Sequence, residues 1–242
     1  QSFNGTSDYI QISDHVDFDW SGTQDFTIEM WVKLKSISSV DNMIFIGRDE
    51  FPGNIHWWLG AEKNTGRAVF NLINSEGTGN ISYGPNMAIG TWYHMVVVRN
   101  GATQTTTFYV NNNPVDTDVV NYSAGSFGTD ASIDIGFLSY NNVTTRFFAP
   151  AVIDEVAIYN SALSTEDIDI HYNNGVFGIG YCEDYTPYFL SVPDTLGVVG
   201  ETFTYEAYAT GLPTMAYSLT SGPGSIHPST GVLTWTPTSV TE

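Results

Sequence analysis

Hydrophobic and polar residues alternate with a period of two along much of the chain. In DFTIEMWVKL every second residue is apolar, so this run predicts a β-strand with one core face, formed by Phe26, Ile28, Met30, Val32 and Leu34. Turn residues separate further runs of this kind: MIFIGR, IHWWLGA, RAVFNLI, TWYHMVVVR, TTTFYVNN, ASIDIGFL and AVIDEVAIY. Many short strands without alternating helices predict an all-β, two-sheet antiparallel jelly-roll sandwich. TWYHMVVVR is apolar in both registers, which predicts a central strand covered on both sides.

One helix is predicted in SALSTEDIDIHYNNG, with Ser164 as N-cap and with Ile168 and Tyr172 on one face. After it, the composition changes through the glycine-rich VFGIGYCEDYTP to strands punctuated by proline from Pro187 onward. The sequence therefore predicts a sandwich domain over 1–178, a linker over 179–186 and a small β-domain over 187–242.

Charge narrows the range of partners. Seven Lys and Arg residues against 26 Asp and Glu residues give a net charge of −19, which repels nucleic acid and anionic lipid surfaces. Cys182 is the single cysteine, so no internal disulfide forms. No apolar run approaches the roughly 20 residues that span a bilayer, and the first residues lack the features of a signal peptide, which favours a mature or excised fragment.

Three segments in order resemble the signatures of one family: FNGTSDYIQI leading into FTIEMWVKL, then GTWYHMVVVRNGATQTTTFYVNN, then IDEVAIYNSALSTEDI. They are similar to laminin-G-like, concanavalin A-type jelly-roll domains of bacterial surface proteins and polysaccharide-degrading enzymes. The resemblance implies two antiparallel sheets, ligand binding on the concave face or its rim loops, and a structural calcium ion near the paired termini.

The region from Pro187 onward resembles the immunoglobulin-like repeats of secreted bacterial proteins. Its Val-Gly-Glu start and its TGVLTWTPT segment carry the likeness. That family continues for another strand or two after this segment, so we expect a partial, apparently truncated immunoglobulin-like domain.

Asp154 is the most informative candidate for metal binding. It shares a strand register with Val156 and Ile158, so alternation predicts that its carboxylate faces inward. A buried carboxylate must accept backbone hydrogen bonds or coordinate a hard cation, and the resemblance favours calcium. The predicted ligands are the Gly5 carbonyl and Asp154, with Asp8 and Asp25 as weaker candidates.

The ligand-binding prediction rests on the segment IGRDEFPGNIHWW, which contains charged and aromatic residues around a Pro-Gly loop. Alternation places Trp57 and Trp58 on opposite faces, so one of them packs in the core, and a structural role for both stays open. A loop before the last strand supplies the other half of a groove. The predicted glycan ligands are Arg48, Asp49, His56, Trp57, Trp58, Tyr140, Asn141 and Arg146.

No catalytic motif is present. Glu29 and His94 lie mid-strand, where a carboxylate with a histidine can indicate acid–base chemistry, but the resemblance implies a structural pair. The leading hypothesis is a non-catalytic, calcium-stabilised carbohydrate-binding or adhesion module of a larger protein, secreted or at the cell surface. Its expected partner is a polysaccharide or glycoconjugate glycan, and neighbouring domains or chains are further candidates. Two alternatives stay open: a stalk or fibre segment that assembles through the incomplete immunoglobulin-like domain, and part of a polysaccharide-degrading enzyme.

Overall fold

The structure is a computed structural model that describes residues 1–140, 145–181, 188–189, 191–193, 196–210 and 216–239. The chain forms two compact units, Gln1–Gly175 and Val176–Glu242. Residues 182–186 of the predicted linker lie outside the described residues.

The first unit contains thirteen described strands, a short 3-10 turn at Val16–Phe18 and one described α-helix. The strands are β1 Ile10–Ile12, β2 Phe26–Leu34, β3 Met43–Asp49, β4 His56–Ala61, β5 Arg67–Ile73, β6 Gly79–Asn86, β7 Trp92–Asn100, β8 Thr105–Val110, β9 Asn113–Val119, β10 Ile133–Ile135, β11 Ser139–Tyr140, β12 Thr145–Arg146 and β13 Ala151–Tyr159; the helix is α1 Thr165–Val176.

Two antiparallel sheets face each other. The six-stranded sheet has the order β1-β10-β3-β4-β5-β6, and the five-stranded sheet has the order β13-β2-β7-β8-β9. Their inner faces enclose one core, which contains the predicted row from β2 together with Trp57, Leu59, Phe70 and Phe108. The predicted all-β sandwich and the core face of β2 are confirmed.

β7 lies in the middle of the five-stranded sheet, as its sequence predicts. Its inner residues join the main core, while Val96 and Val98 pack on the outer side against Ile168 of α1. The helix begins with a reciprocal cap, because Asp167 N donates to Ser164 Oγ at 3.1 Å and Ser164 N donates back to Asp167 Oδ2 at 3.1 Å. The predicted N-cap is therefore confirmed, and α1 covers the outer face of this sheet.

The second unit contains β14 Tyr188–Phe189, β15 Phe203–Glu206, β16 Ala209–Thr210, β17 Ser225–Ile226 and β18 Val232–Trp235. β14 pairs with β16, and β18 pairs with both β15 and β17. The immunoglobulin-like assignment of this unit stays a prediction. In neither unit does a described helix have the length and apolarity needed to cross a membrane.

Candidate functional site

The outer face of the six-stranded sheet contains a cavity of about 500 Å³. Cross-strand pairing places Gly47, Trp58 and Asn71 in one row on this face, next to a row formed by Asp49, His56 and Ile73. We call it the Trp58 cavity. It is lined by Asn42, Ile44, Asp49, Glu50, Phe51, Gly53, Asn54, His56, Trp58, Asn71, Ile73, Gly77, Leu138 and Phe147.

The apolar part of this cavity is a small cluster separate from the main core. Trp58 packs there with Ile44, Val69 and Leu138, and Phe147 lies against them. Gly47 makes room for the indole, since a Cβ atom at this position would come within 2.8 Å of Trp58 Cβ. Aromatic and aliphatic walls with a few polar groups are typical of small-molecule sites.

Asn71 lines this cavity and carries a buried acceptor without a described partner. The residue is only 7% exposed, and its Oδ1 atom has no hydrogen-bond partner among the described residues. A buried acceptor without a donor costs about 1–3 kcal/mol, which a ligand hydroxyl or amide would recover. The indole N–H groups of Trp31 and Trp57 are also buried without a described partner, but neither ring lines this cavity.

Carboxylates form the wall between this cavity and a second one. Nδ1 of His56 lies 2.6 Å from Oδ1 of Asp49, whose side chain is 5% exposed. Asp49, Glu50 and Phe51 also line the second cavity of about 420 Å³, which we call the Asp134 cavity. Glu50 N donates to Ile55 O at 2.8 Å and so closes the loop that carries this wall.

Asp134 lines the second cavity and is itself buried. Burial raises the pKa of its carboxyl group, and the charge of Asp49 adds to the rise. Hydrogen bonds from Gln11, Ser139 N and Ser132 oppose that rise but do not cancel it. Burial and the neighbouring Asp49 thus both favour the neutral form of the Asp134 carboxyl group.

The structure thus brings the predicted residues Asp49, His56 and Trp58 together in one cavity wall. Asn141 lies outside the described residues, as do the side chains of Tyr140 and Arg146. Phe147, which follows them, lines the cavity, and its N–H donates to Leu138 O at 3.0 Å.

The assignment of Arg48 as a glycan ligand is wrong. Its side chain is fully buried, and its guanidinium donates to the backbone oxygens of Phe18, Thr129 and Ala131 and to the carboxylates of Asp14 and Asp19. Arg48 pairs with Trp57 across β3 and β4, so it points away from the Trp58 cavity. All N–H groups of the guanidinium are thus engaged, so Arg48 links the loops that carry these acceptors and has no free donor for a sugar.

Trp57 is also not a surface ligand. It is 0% exposed, and its ring lies 6.0 Å from that of Trp20 inside the sandwich. The prediction that alternation separates the two tryptophans is confirmed, with Trp57 in the core and Trp58 on the outer face.

The inward orientation predicted for Asp154 is wrong, because β13 contains a bulge. Ile153 pairs with Val32 and Ile158 pairs with Ile28, both toward the core, although the two isoleucines are an odd number of positions apart. The register shifts between Asp154 and Ala157, and Glu155 adopts a φ of 49°. Asp154 is consequently exposed, and its Oδ1 accepts the Glu155 N–H at 3.1 Å.

The four predicted calcium ligands do not come together. Ser2 pairs with Val152 in antiparallel fashion and Gly5 lies against Pro150, so Gly5 and Asp154 are roughly 15 Å apart along the strand. Asp25 precedes β2, whereas Asp154 pairs with Trp31, roughly 20 Å further along. Asp25 accepts from Gly101 N at 2.7 Å, and Asp8 accepts from Asn4 N at 2.9 Å.

These residues therefore do not fit one calcium ion. Within the described part of the chain, no group of three or more His, Cys, Asp or Glu side chains could hold a metal ion. Asp8 and Asp25 instead stabilise two separate loops through backbone hydrogen bonds.

A second polar cluster lies on the outer face of the five-stranded sheet, under α1. Nε2 of His94 lies 2.7 Å from Oε1 of Glu29, and Nδ1 of His171 lies 2.9 Å from Oε2. Trp31 stacks on both His94 and Tyr172, with ring centroids at 5.1 and 5.7 Å, and the His94 and Tyr172 rings lie 5.8 Å from each other. His171 thus joins the pair of Glu29 and His94 as a second histidine on the Glu29 carboxylate. Nothing in the sequence indicated this contact.

Burial and hydrogen bonds together shift the pKa values of Glu29 and His171. Burial alone raises the pKa of Glu29, but hydrogen bonds from His171 and His94 outweigh it and lower the pKa below 4.5. The hydrogen bond to Glu29 raises the pKa of His171 above 6.5 against the opposing effect of burial. Glu29 and His171 therefore each favour the ionised form of the other.

Sequence reasoning did not identify Asn71 or Asn42 as site residues. The available signal was alternation in RAVFNLI: Ala68, Phe70 and Leu72 face the core, so Asn71 is a polar residue on the outer face of the strand. Its proximity to Trp58 depends on the register between β4 and β5.

A family model described as the concanavalin A-like lectin/glucanases superfamily matches residues 4–169, well over half of the 242 residues. The described fold agrees with this match: two antiparallel sheets packed face to face. The chain belongs to this laminin-G-like branch of the superfamily. A comparison with curated proteins gives no match.

Solved structures with a similar fold include both binding domains and an enzyme. The binding domain of Paraclostridial Mosquitocidal Protein 1 has a TM-score of 0.57 at 14% identity, and the match covers 85% of this chain and 48% of that one. The binding domain of Botulinum Neurotoxin DC in complex with SialylT has a TM-score of 0.54 at 16% identity, covering 72% and 42%.

A sialidase from Trypanosoma rangeli has a TM-score of 0.51 at 17% identity, covering 65% of this chain and 24% of the enzyme. The chain thus spans about half the length of the mosquitocidal binding domain and a quarter of the sialidase. At these identities the likeness concerns the fold alone.

Proposed function

We propose that the first unit is a non-catalytic carbohydrate-binding module that holds a glycan in the Trp58 cavity. The observation that carries the proposal is the buried, unpartnered Oδ1 of Asn71 beside the aromatic floor of this cavity. A sugar presents an apolar ring face together with hydroxyl donors. It therefore matches an indole and an unsatisfied acceptor better than a purely apolar ligand would.

The other polar groups of the cavity have the chemistry that hydroxyl recognition needs. Asn42 and Asn54 carry amides that donate and accept, and the Asp49–His56 pair lies at the wall. A volume of about 500 Å³ lies within the range typical of small-ligand sites. Membership of a superfamily of lectins and glucanases supports the same class of ligand.

A glycan array followed by calorimetry on the full chain would test this proposal. We expect saturable binding of at least one glycan, and a loss of about tenfold or more in affinity for Asn71→Leu and Trp58→Ala. Ile81→Ala serves as a matched control, because Ile81 pairs with Asn71 on the same face but does not line the cavity. Glycan binding that survives both cavity variants, or no binding to any glycan, would contradict the proposal.

The module is proposed to bind without hydrolysing its ligand. Asp49 and Glu50 are adjacent in sequence and lie on one wall of the cavity, whereas glycoside hydrolysis uses two carboxyl groups on either side of the scissile bond. Prolonged incubation with the bound glycan should release no new reducing ends. Turnover that disappears in Glu50→Gln would identify an enzyme instead.

Calcium stabilisation and an extracellular or cell-surface location stay predictions that rest on the family resemblance. Ligands that bind only the native state raise the melting temperature, so calcium should raise it relative to magnesium or a chelator. Because Asp154 is exposed and far from Gly5, Asp154→Asn should leave any such shift unchanged. A melting temperature that is the same with calcium and with chelator would remove the calcium prediction.

A further inference from the structure

Acidic side chains surround the proposed site on the side of the β3–β4 loop. Asp49 and Glu50 line both cavities, and Asp130 and Asp134 line the second one. Among the described residues that line either cavity there is no lysine or arginine. Asp49 and Glu50 therefore place two carboxyl groups in the wall shared by the two cavities, and the described basic group beside them is the imidazole of His56, whose Nδ1 lies 2.6 Å from Asp49 Oδ1.

The described cations of this sheet are held elsewhere. Arg48 is fully buried on the core side with Asp14 and Asp19. The Arg67 guanidinium lies 4.0 Å from the ring centroid of Tyr83, and its Nε donates to Gly84 O at 3.3 Å. Lys63 Nζ donates to Val40 O at 3.1 Å. None of these three side chains is among the lining residues of the cavities.

Charge in the cavity wall matters more than the same charge on the open surface. Asp49 is largely buried, so water screens its carboxylate less than it screens an exposed one. An anionic sugar group that enters the cavity would lie close to this carboxylate and would also lose its own hydration. A hydroxyl group, by contrast, can donate to Asn71 Oδ1 or to the carboxylates themselves.

We infer that the Trp58 cavity selects uncharged glycans and excludes glycans that carry carboxylate or sulfate groups. This inference rests on the proposed function and adds the charge class of the ligand. The selectivity is local, because it comes from Asp49 and Glu50 in the wall and not from the net charge of the whole chain.

The test measures binding of the full chain to matched glycans that differ only in charge. Three pairs serve: lactose and sialyllactose, methyl-esterified and free oligogalacturonate, and neutral and sulfated galactan. We expect every glycan that binds to be uncharged, and any acidic counterpart to bind at least about tenfold more weakly. Added salt should narrow that gap by screening the repulsion, while binding of the neutral glycan stays constant.

Variants that remove one charge show whether the repulsion comes from Asp49 and Glu50 or from the net charge of the whole chain. Asp49→Asn and Glu50→Gln, alone and combined, should strengthen binding of the acidic counterpart several-fold, and Glu50→Gln alone suffices if Asp49→Asn does not fold. Glu166→Gln is the matched control, since it removes one charge from α1, over the other sheet, and should change nothing at the cavity.

Two results overturn the inference while leaving the proposed function intact. One is an acidic glycan that binds as tightly as its neutral counterpart, above all if Arg146→Ala abolishes that binding. The other is an equal gain of acidic binding in Glu166→Gln and Glu50→Gln, which would make the repulsion global. Absence of binding to any glycan would overturn both the proposed function and the inference.

Discussion

The two sheets of the sandwich carry similar residues on their outer faces and use them differently. Trp31 on one sheet and Trp58 on the other are each 8% exposed, and each has a histidine nearby on its own face, His94 or His56. Over Trp31 lies α1, with Tyr172 stacked on the indole. Trp58 instead borders a cavity.

Hydrogen bonding separates the two faces further. Under the helix, both carboxylate oxygens of Glu29 are engaged by histidines, although the Trp31 indole N–H has no described partner. In the Trp58 cavity, Asn71 Oδ1 has no described partner. A buried polar group that is hydrogen-bonded within the protein stabilises the fold, whereas a buried acceptor without a partner is a candidate for a hydrogen bond from a ligand.

The largest effect is expected from Glu29→Ala. This change leaves His94 and His171 without their shared carboxylate in a buried site, which should lower the free energy of unfolding by about 3–5 kcal/mol. Urea denaturation followed by tryptophan fluorescence measures it, with Glu166→Ala on the exposed side of α1 as control. A loss no larger than that of the control would mean that the cluster does not stabilise the fold.

Gly175→Ala should have the next largest effect. Alanine in place of glycine stabilises an ordinary helix by about 1 kcal/mol. Here the new Cβ would come within 2.2 Å of Trp31 Nε1, so we expect a net loss of about 1–3 kcal/mol in unfolding free energy. A gain in stability in the same denaturation experiment would show that α1 does not pack on Trp31.

A smaller effect is expected from pH. Because the folded-state pKa of His171 is raised above 6.5, its contribution is complete below that pH and is lost as pH rises through the raised value. The lowered pKa of Glu29 makes its contribution complete above pH 4.5 and lost as pH falls through the lowered value. The melting temperature should fall on the alkaline side of 6.5, and His171→Gln should flatten that part of the profile.

The smallest effect on folding is expected from Asn71→Leu, although it removes a buried polar side chain. Because Oδ1 has no partner to lose and is costly to bury, Asn71→Leu should not lower the unfolding free energy, in contrast to Glu29→Ala. The same denaturation measurement checks this expectation beside Glu29→Ala. A loss of several kcal/mol would assign Asn71 a structural role like that of Glu29.

Much of the fold was predictable because alternation is a local property of the chain. The core row of β2, the central position of β7 and the N-cap at Ser164 all follow from residue spacing. Spacing failed at Asp154, where one bulge in β13 reverses the face of every residue before it relative to those after it. A bulge of this kind has no reliable local signal.

The candidate site was only partly predictable for a related reason. Alternation separates Trp57 from Trp58, but it does not predict which of them faces the core. It also does not predict that Arg48 is buried, so Arg48 remained a candidate ligand. Burial of Arg48 requires Asp14, Asp19 and the backbone around Thr129, which are distant in sequence. Such contacts form only when the loops of the sandwich close over one another.

The sequence by itself determined the two-sheet sandwich, its core rows and its capping helix, because these depend on the period of apolar residues and on local capping. The tertiary structure decided which outer face is covered by α1 and which one contains a cavity. It also decided that Asn71 meets Trp58 there and that the predicted calcium ligands stay apart. The physical reason is that strand register, a bulge and the docking of a helix bring together side chains that lie far apart along the chain.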